Sequence, residues 1–144
     1  MTASTGVKID GQQRATMAAL ADILIPKAEG MPAASEVDVH GKWLDRVLKA
    51  RPDIAPVLAK VLTDARGKDA VAEVRRLQQE DLAGFASLAL AATGGYYMNP
   101  KIRKLIGYPG QKPNPPYPDE ADYDLRDGIL DPVIKRGPIY RLTP

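Results

Sequence analysis

Proline is spread unevenly along this chain of 144 residues, and that distribution limits what it can fold into. Five of the thirteen prolines, Pro26, Pro32, Pro52, Pro56 and Pro100, punctuate the first three quarters, and the other eight fall at or after Pro109. Proline has no backbone N–H and a fixed φ, so it interrupts helix interiors and sheet ladders alike. The long runs between the early prolines can form helices, and in the last quarter proline prevents regular ladders. No convincing two-residue apolar alternation occurs, so little or no sheet is expected. The expected fold is all-α: a small helical bundle of about five to six helices over residues 1–107, then an extended Pro-rich tail over 108–144.

Apolar spacing places the helices. In QQRATMAALADILIP, Met17, Leu20, Ala21 and Leu24 follow one helix face, with Asp10 as N-cap and Pro26 as terminator. A second helix is expected over Val37–Lys49, with Trp43, Val47 and Ala50 on one side and Leu44 and Leu48 beside them. A third runs from Asp53 to about Arg66, with Ile54, Val57, Leu58, Val61 and Leu62 inward. Asp69 caps a fourth through Leu77, which Gln79–Asp81 either interrupt or continue. The fifth, DLAGFASLALAAT, is almost wholly apolar, so Leu82, Phe85, Leu88, Ala89 and Ala92 imply burial on more than one side and a central position. Gly94 and Gly95 then permit a tight turn. Asn99 caps a short helix with Pro100 at its first position, and Gly107 ends it.

The tail breaks the usual rule for Pro-rich segments. Tyr108, Tyr117, Tyr123, Leu125, Ile129, Leu130, Val133, Ile134, Ile139 and Tyr140 are too many apolar residues for a solvated, disordered end. The tail is therefore expected to order against the helical body or against a partner chain.

Several function classes find little support. There is no cysteine, hence no disulfide and no thiolate metal site. One histidine, His40, makes neither a histidine metal site nor a nucleophilic triad of the usual kind, and reads as a surface or capping residue. A formal charge of +2 with abundant acids and bases does not suggest a nucleic-acid binder. No apolar run approaches the roughly 20 residues of a membrane span. MTASTGVKIDGQQR lacks an apolar signal core and a twin-arginine motif, so a cytoplasmic protein is expected, or a periplasmic one if such a leader has been removed. In DEADYDLRDG, Asp122, Asp124 and Asp127 precede Gly128, but Arg126 and Val133 stand where a calcium loop needs ligands, which leaves a solvated acidic turn.

The densest stretch is TGGYYMNPKIRKLIGYPG, residues 93–110. Tyr96 and Tyr97 can act as acids, stack on a ring, pack at the end of the buried helix or face a partner. Lys101, Arg103 and Lys104 form a small basic cluster that is either a solvated face or a binding site. The residues alone lead to a helical body with a partner-seeking tail, and to no catalytic apparatus.

Three stretches resemble one family. MAALADILIP (17–26), GGYYMNPKIRKLIGYPGQ (94–111) and the Pro-rich tail are similar to subunit 3 of gluconate 2-dehydrogenase, the small subunit of bacterial FAD-dependent dehydrogenase complexes. The resemblance implies a non-catalytic accessory subunit that stabilises and assembles a flavoprotein large subunit of the glucose–methanol–choline (GMC) type. That partner would hold the FAD and oxidise alcohol groups of sugars or related compounds, often passing electrons to a cytochrome c subunit. This chain would hold no cofactor, no metal and no catalytic residue. The interface would comprise Tyr96, Tyr97, Asn99, Pro100, Arg103, Gly107, Tyr108, Pro109 and Gly110, and from the tail Tyr117, Tyr123, Ile129, Ile134 and Tyr140. Arg103 would pair with an acid of the partner or of the chain's own DEADYD run. The alternatives are a stand-alone helical binding or regulatory module working through the basic turn, and a stand-alone enzyme using the tyrosines and the acidic run.

Overall fold

The computed structural model describes residues 7–113 and 126–139. The fold is all-α, with no strand among the described residues. The chain divides into two compact units between Pro109 and Gly110, two residues beyond the expected limit of the helical body.

In the first unit, helix α1 spans Gly11–Leu24. The Asp10 carboxylate accepts from the Gln13 amide at 2.7 Å, and Gln13 Oε1 accepts from the Asp10 amide at 2.9 Å, a reciprocal capping box. The Gln13 side chain is buried, and its Nε2 donates to the Ala59 carbonyl and to Thr63 Oγ1, tying α1 to α3 (Ala55–Asp64). Pro26 follows the end of α1. The loop behind it closes through reciprocal backbone bonds between Ala28 and Met31. It is held down where the Asp22 carboxylate accepts from both the amide and the hydroxyl of Ser35, each at 2.7 Å.

The segment expected to be one helix over Val37–Lys49 is broken. A 3-10 turn at Ser35–Val37 leads into Asp38, which takes a left-handed conformation (φ 61°), and then into a π-type turn at Val39–Trp43. Only Leu44–Ala50 is regular, and this is α2. Asp38 causes the interruption: its carboxylate accepts from the Lys42 amide and lies where a Cβ on residue 41 would sit, so any larger residue there would displace it. A short acidic side chain thus competes with the helix for backbone donors. Arg14 takes up the carbonyls of His40 and Gly41 at 3.0 and 3.1 Å, and its other Nη contacts Asp45 at 2.6 Å.

Helix α4 (Ala70–Glu80) is capped by Asp69, and Asp81 both ends α4 and caps α5, so one residue makes the joint expected somewhere in Gln79–Asp81. Glu73 of α4 is buried but paired: Arg76 binds both its oxygens, and Lys68 lies at 3.8 Å. Helix α5 (Leu82–Met98) is the centre of the unit and packs against α1, α2, α3, α4 and α6 (Pro100–Leu105). Met17, Leu20, Leu44, Leu58, Leu62, Leu77, Leu88 and Ile102 are fully buried around it. Three residues expected inward are exposed: Val57, Ala50 and Leu82. Ala50 and Leu82 occupy helix ends, where a side chain projects past its neighbours.

In the second unit, among the described residues, helix α7 (Asp131–Arg136) carries Pro132 in its first turn, where a missing N–H is tolerated. None of its residues is buried.

Candidate partner interface

The two glycines ahead of the tyrosine pair do not make the expected turn. Helix α5 runs straight through Gly94 and Gly95 to Met98. A Cβ on Gly95 would lie 3.2 Å from Val39 Cγ1 and 3.4 Å from Trp43 Cβ, and one on Gly94 would lie 3.2 Å from Val47 Cγ2. The glycines thin one side of the helix so that α2 and the π-type turn can approach closely. The propensity cost, about 1 kcal/mol per glycine, is offset by that packing.

Continuing the helix sends the tyrosines to different environments. Tyr96 is 2 % exposed, and its hydroxyl donates to the Pro32 carbonyl at 2.7 Å, so the ring pins the loop onto the core. Burial pushes its phenol above the ordinary range, which suits a fixed donor rather than a proton-transfer group. Tyr97 is 54 % exposed and meets Tyr96 only edge to face, with centroids 5.5 Å apart. Asn99 is also buried. Its Oδ1 caps α6 at the Lys101 amide, and its Nδ2 donates to the Val37 carbonyl at 3.0 Å. Tyr96 and Asn99, expected at an interface, are therefore struts of this chain's own core.

Helix α6 ends in a Schellman motif. The Tyr108 amide donates to the Arg103 carbonyl at 2.8 Å, the Gly107 amide donates to Lys104, and Gly107 has φ +70°. Only Ile102 of this helix is buried. Pro100, Arg103, Gly107, Tyr108 and Pro109 are exposed, and Gly110 is half-buried. Met98, Leu105 and Ile106 join Tyr97 and Tyr108 as exposed large apolar residues. Nothing local announces the exposure of Leu105 and Ile106, because they follow Ile102 by three and four residues, the spacing of a core face. Lys101, Arg103 and Lys104 are exposed and have no ion-pair partner among the described residues.

In the second unit Ile129, Leu130, Val133, Ile134 and Ile139 are all exposed. Ile129, Leu130, Val133 and Ile134 have the spacing of one helix face. Tyr117, Tyr123, Tyr140 and the acidic run at 119–124 lie outside the described residues.

Other chemistry has little footing. No group of three or more His, Asp or Glu side chains among the described residues is placed to hold a metal ion. His40 is half-buried, and its Nδ1 is buried without a hydrogen-bond partner among the described residues. No helix among the described residues is long and apolar enough to cross a membrane. No protein-family model matches the chain, and no curated protein or solved structure does either.

Proposed function

We propose that this chain is the non-catalytic small subunit of a heteromeric FAD-dependent oxidoreductase of the GMC type, which acts on alcohol groups of sugars or related compounds. In this reading the chain stabilises and assembles the flavoprotein large subunit, and the FAD and the substrate pocket belong to that partner. The choice of partner rests on the resemblance of Met17–Pro26 and Gly94–Gln111 to the small-subunit family. The partner role itself is carried by one observation: large apolar side chains stay exposed in close succession once the chain passes Tyr96, at Tyr97, Met98, Leu105, Ile106 and Tyr108. Exposed apolar surface of this kind marks interaction sites. Tyrosine suits them because it joins a wide apolar face to a polar tip.

Co-expression tests the reading. The tagged chain is produced together with a candidate large flavoprotein from the same source, and the eluate is examined for a yellow complex with dye-linked alcohol dehydrogenase activity. The reading predicts a stoichiometric complex that is lost when the chain is cut after Gly107. A flavoprotein that is soluble and active alone, with no co-elution, would overturn it.

A further inference from the structure

A second surface of the helical body lies well away in sequence from the tyrosine stretch. The segment 7–9, the end of α2 and the start of α3 enclose a half-open trough of about 490 Å³. Val7, Ile9, Leu48, Pro52, Ala55 and Pro56 supply its apolar lining. Its charged members are Lys8, Arg14, Asp45 and Lys49. Arg14 and Asp45 neutralise each other at 2.6 Å. Lys8 and Lys49 are both exposed and have no ion-pair partner among the described residues, which leaves the rim with two uncompensated positive charges.

The wall is held in place by internal bonds. Arg14 is fastened to the carbonyls of His40 and Gly41 and to the Asp45 carboxylate, so its guanidinium is already committed and fixes α1 against the start of α2. Ile9 and Ala55 are buried in the floor beneath. A pre-formed wall loses little freedom on binding, which favours affinity. A pocket that serves a small molecule encloses most of its ligand. This trough is open along one side, which suits a chain segment that has the rest of its own protein to cover its back.

We propose that the trough is a docking site for an acidic, apolar segment of a partner protein. Aliphatic side chains of that segment sit on the lining from Val7 to Pro56, and carboxylates on its flanks meet Lys8 and Lys49. Complementary rim charges set the on-rate and the register, and the apolar floor sets the residence time. The site is independent of the flavoprotein reading, since no residue of the tyrosine stretch takes part.

The test uses the full chain and a fluorescein-labelled peptide of alternating Leu and Glu, followed by anisotropy. Saturable binding that weakens as salt rises is expected. The double variant K8E/K49E should weaken it roughly tenfold, as two exposed ion pairs turn into two repulsions. Both lysines are exposed, so the variant should melt like the parent. K101E/K104E makes the same charge change on α6 and should leave binding unaltered. Three results would overturn the proposal. One is the absence of saturable peptide binding. Another is equal loss in both double variants, which would mean unspecific charge attraction. The third is binding of dodecanoate in the trough without binding of the peptide, which would assign the site to a free amphipathic carboxylate.

Discussion

Tyr96 and Tyr97 are neighbours in one helix and mark the change between two regions of the chain. Up to Tyr96, most buried polar side chains find partners within the chain, His40 Nδ1 excepted. Asp10, Asp69 and Asp81 each cap a helix at a backbone amide, the buried Glu73 finds Arg76, and the loop after α1 is held by Asp22 and Tyr96. Beyond Tyr96, only Asn99 and Ile102 turn inward among the large side chains up to Tyr108, and the others face solvent. The same helix-forming chemistry therefore yields a core with scattered exposed apolar residues in one region and a close succession of them in the other. Surface that is held in shape but left apolar is what a partner can use.

The substitution with the largest expected effect tests whether Asn99 belongs to the closed region despite its place in the second. Asn99→Ala removes the cap of α6 and strands the Val37 carbonyl in the core. Losing the cap costs about 1 kcal/mol and stranding the carbonyl about 1–3 kcal/mol, so urea unfolding should show a loss of roughly 2–4 kcal/mol. A loss below about 0.5 kcal/mol would mean that the close contact with Val37 contributes little.

Gly95→Ala is next. The added methyl meets Val39 and Trp43 at 3.2–3.4 Å and forces the π-type turn away from α5. Overpacking costs about 1–3 kcal/mol and the gain in helix propensity returns up to about 1 kcal/mol, so a net loss of about 1 kcal/mol is expected in the same assay. A stabilised variant would show that the glycines serve something other than close approach.

A third test uses pH. The Arg76 guanidinium, hydrogen-bonded to Glu73, holds its carboxyl below the ordinary value of 4.5, against the opposing effect of burial. A depressed folded pKa means that this stabilisation is fully present above about pH 4.5 and is lost as pH falls through the folded value. Glu73→Gln should therefore narrow the difference in urea midpoint between about pH 7 and about pH 3. An unchanged difference would place the acid sensitivity elsewhere.

Much of the closed region is legible in the sequence because its signals are local. Asp10, Asp69 and Asn99 act as caps, Pro26 follows the end of α1, and the apolar run after Asp81 is the central helix. Failures occur where a distant residue decides. Nothing next to Gly94 and Gly95 reveals that Val39, Trp43 and Val47 lie against them, so a helical pair of glycines reads as a turn. The break at Asp38–Gly41 depends on a carboxylate folding back over a glycine and on Arg14 arriving from another helix. Tyr96 and Tyr97 read alike, because their separation in burial depends on the helix continuing through the glycines. Exposure of Leu105 and Ile106 has no local signature.

The smallest effect on the isolated chain, and the most direct test of the whole account, belongs to Tyr97. Tyr97→Ala should change the stability of the purified chain by no more than about 0.5 kcal/mol, as expected of a surface position. Its neighbour should behave in the opposite way. Tyr96→Phe loses the bond to the Pro32 carbonyl, at a cost of about 1 kcal/mol, and leaves the surface unchanged. Both variants, and the double variant Tyr97→Ala/Tyr108→Ala, would be co-expressed with the flavoprotein, and the yield of complex compared with the melting curve of the chain alone. The account predicts that Tyr96→Phe lowers the melting temperature and keeps the complex, whereas Tyr97→Ala/Tyr108→Ala keeps the melting temperature and loses the complex. Full recovery of the complex by a stably folded Tyr97→Ala/Tyr108→Ala variant would contradict it.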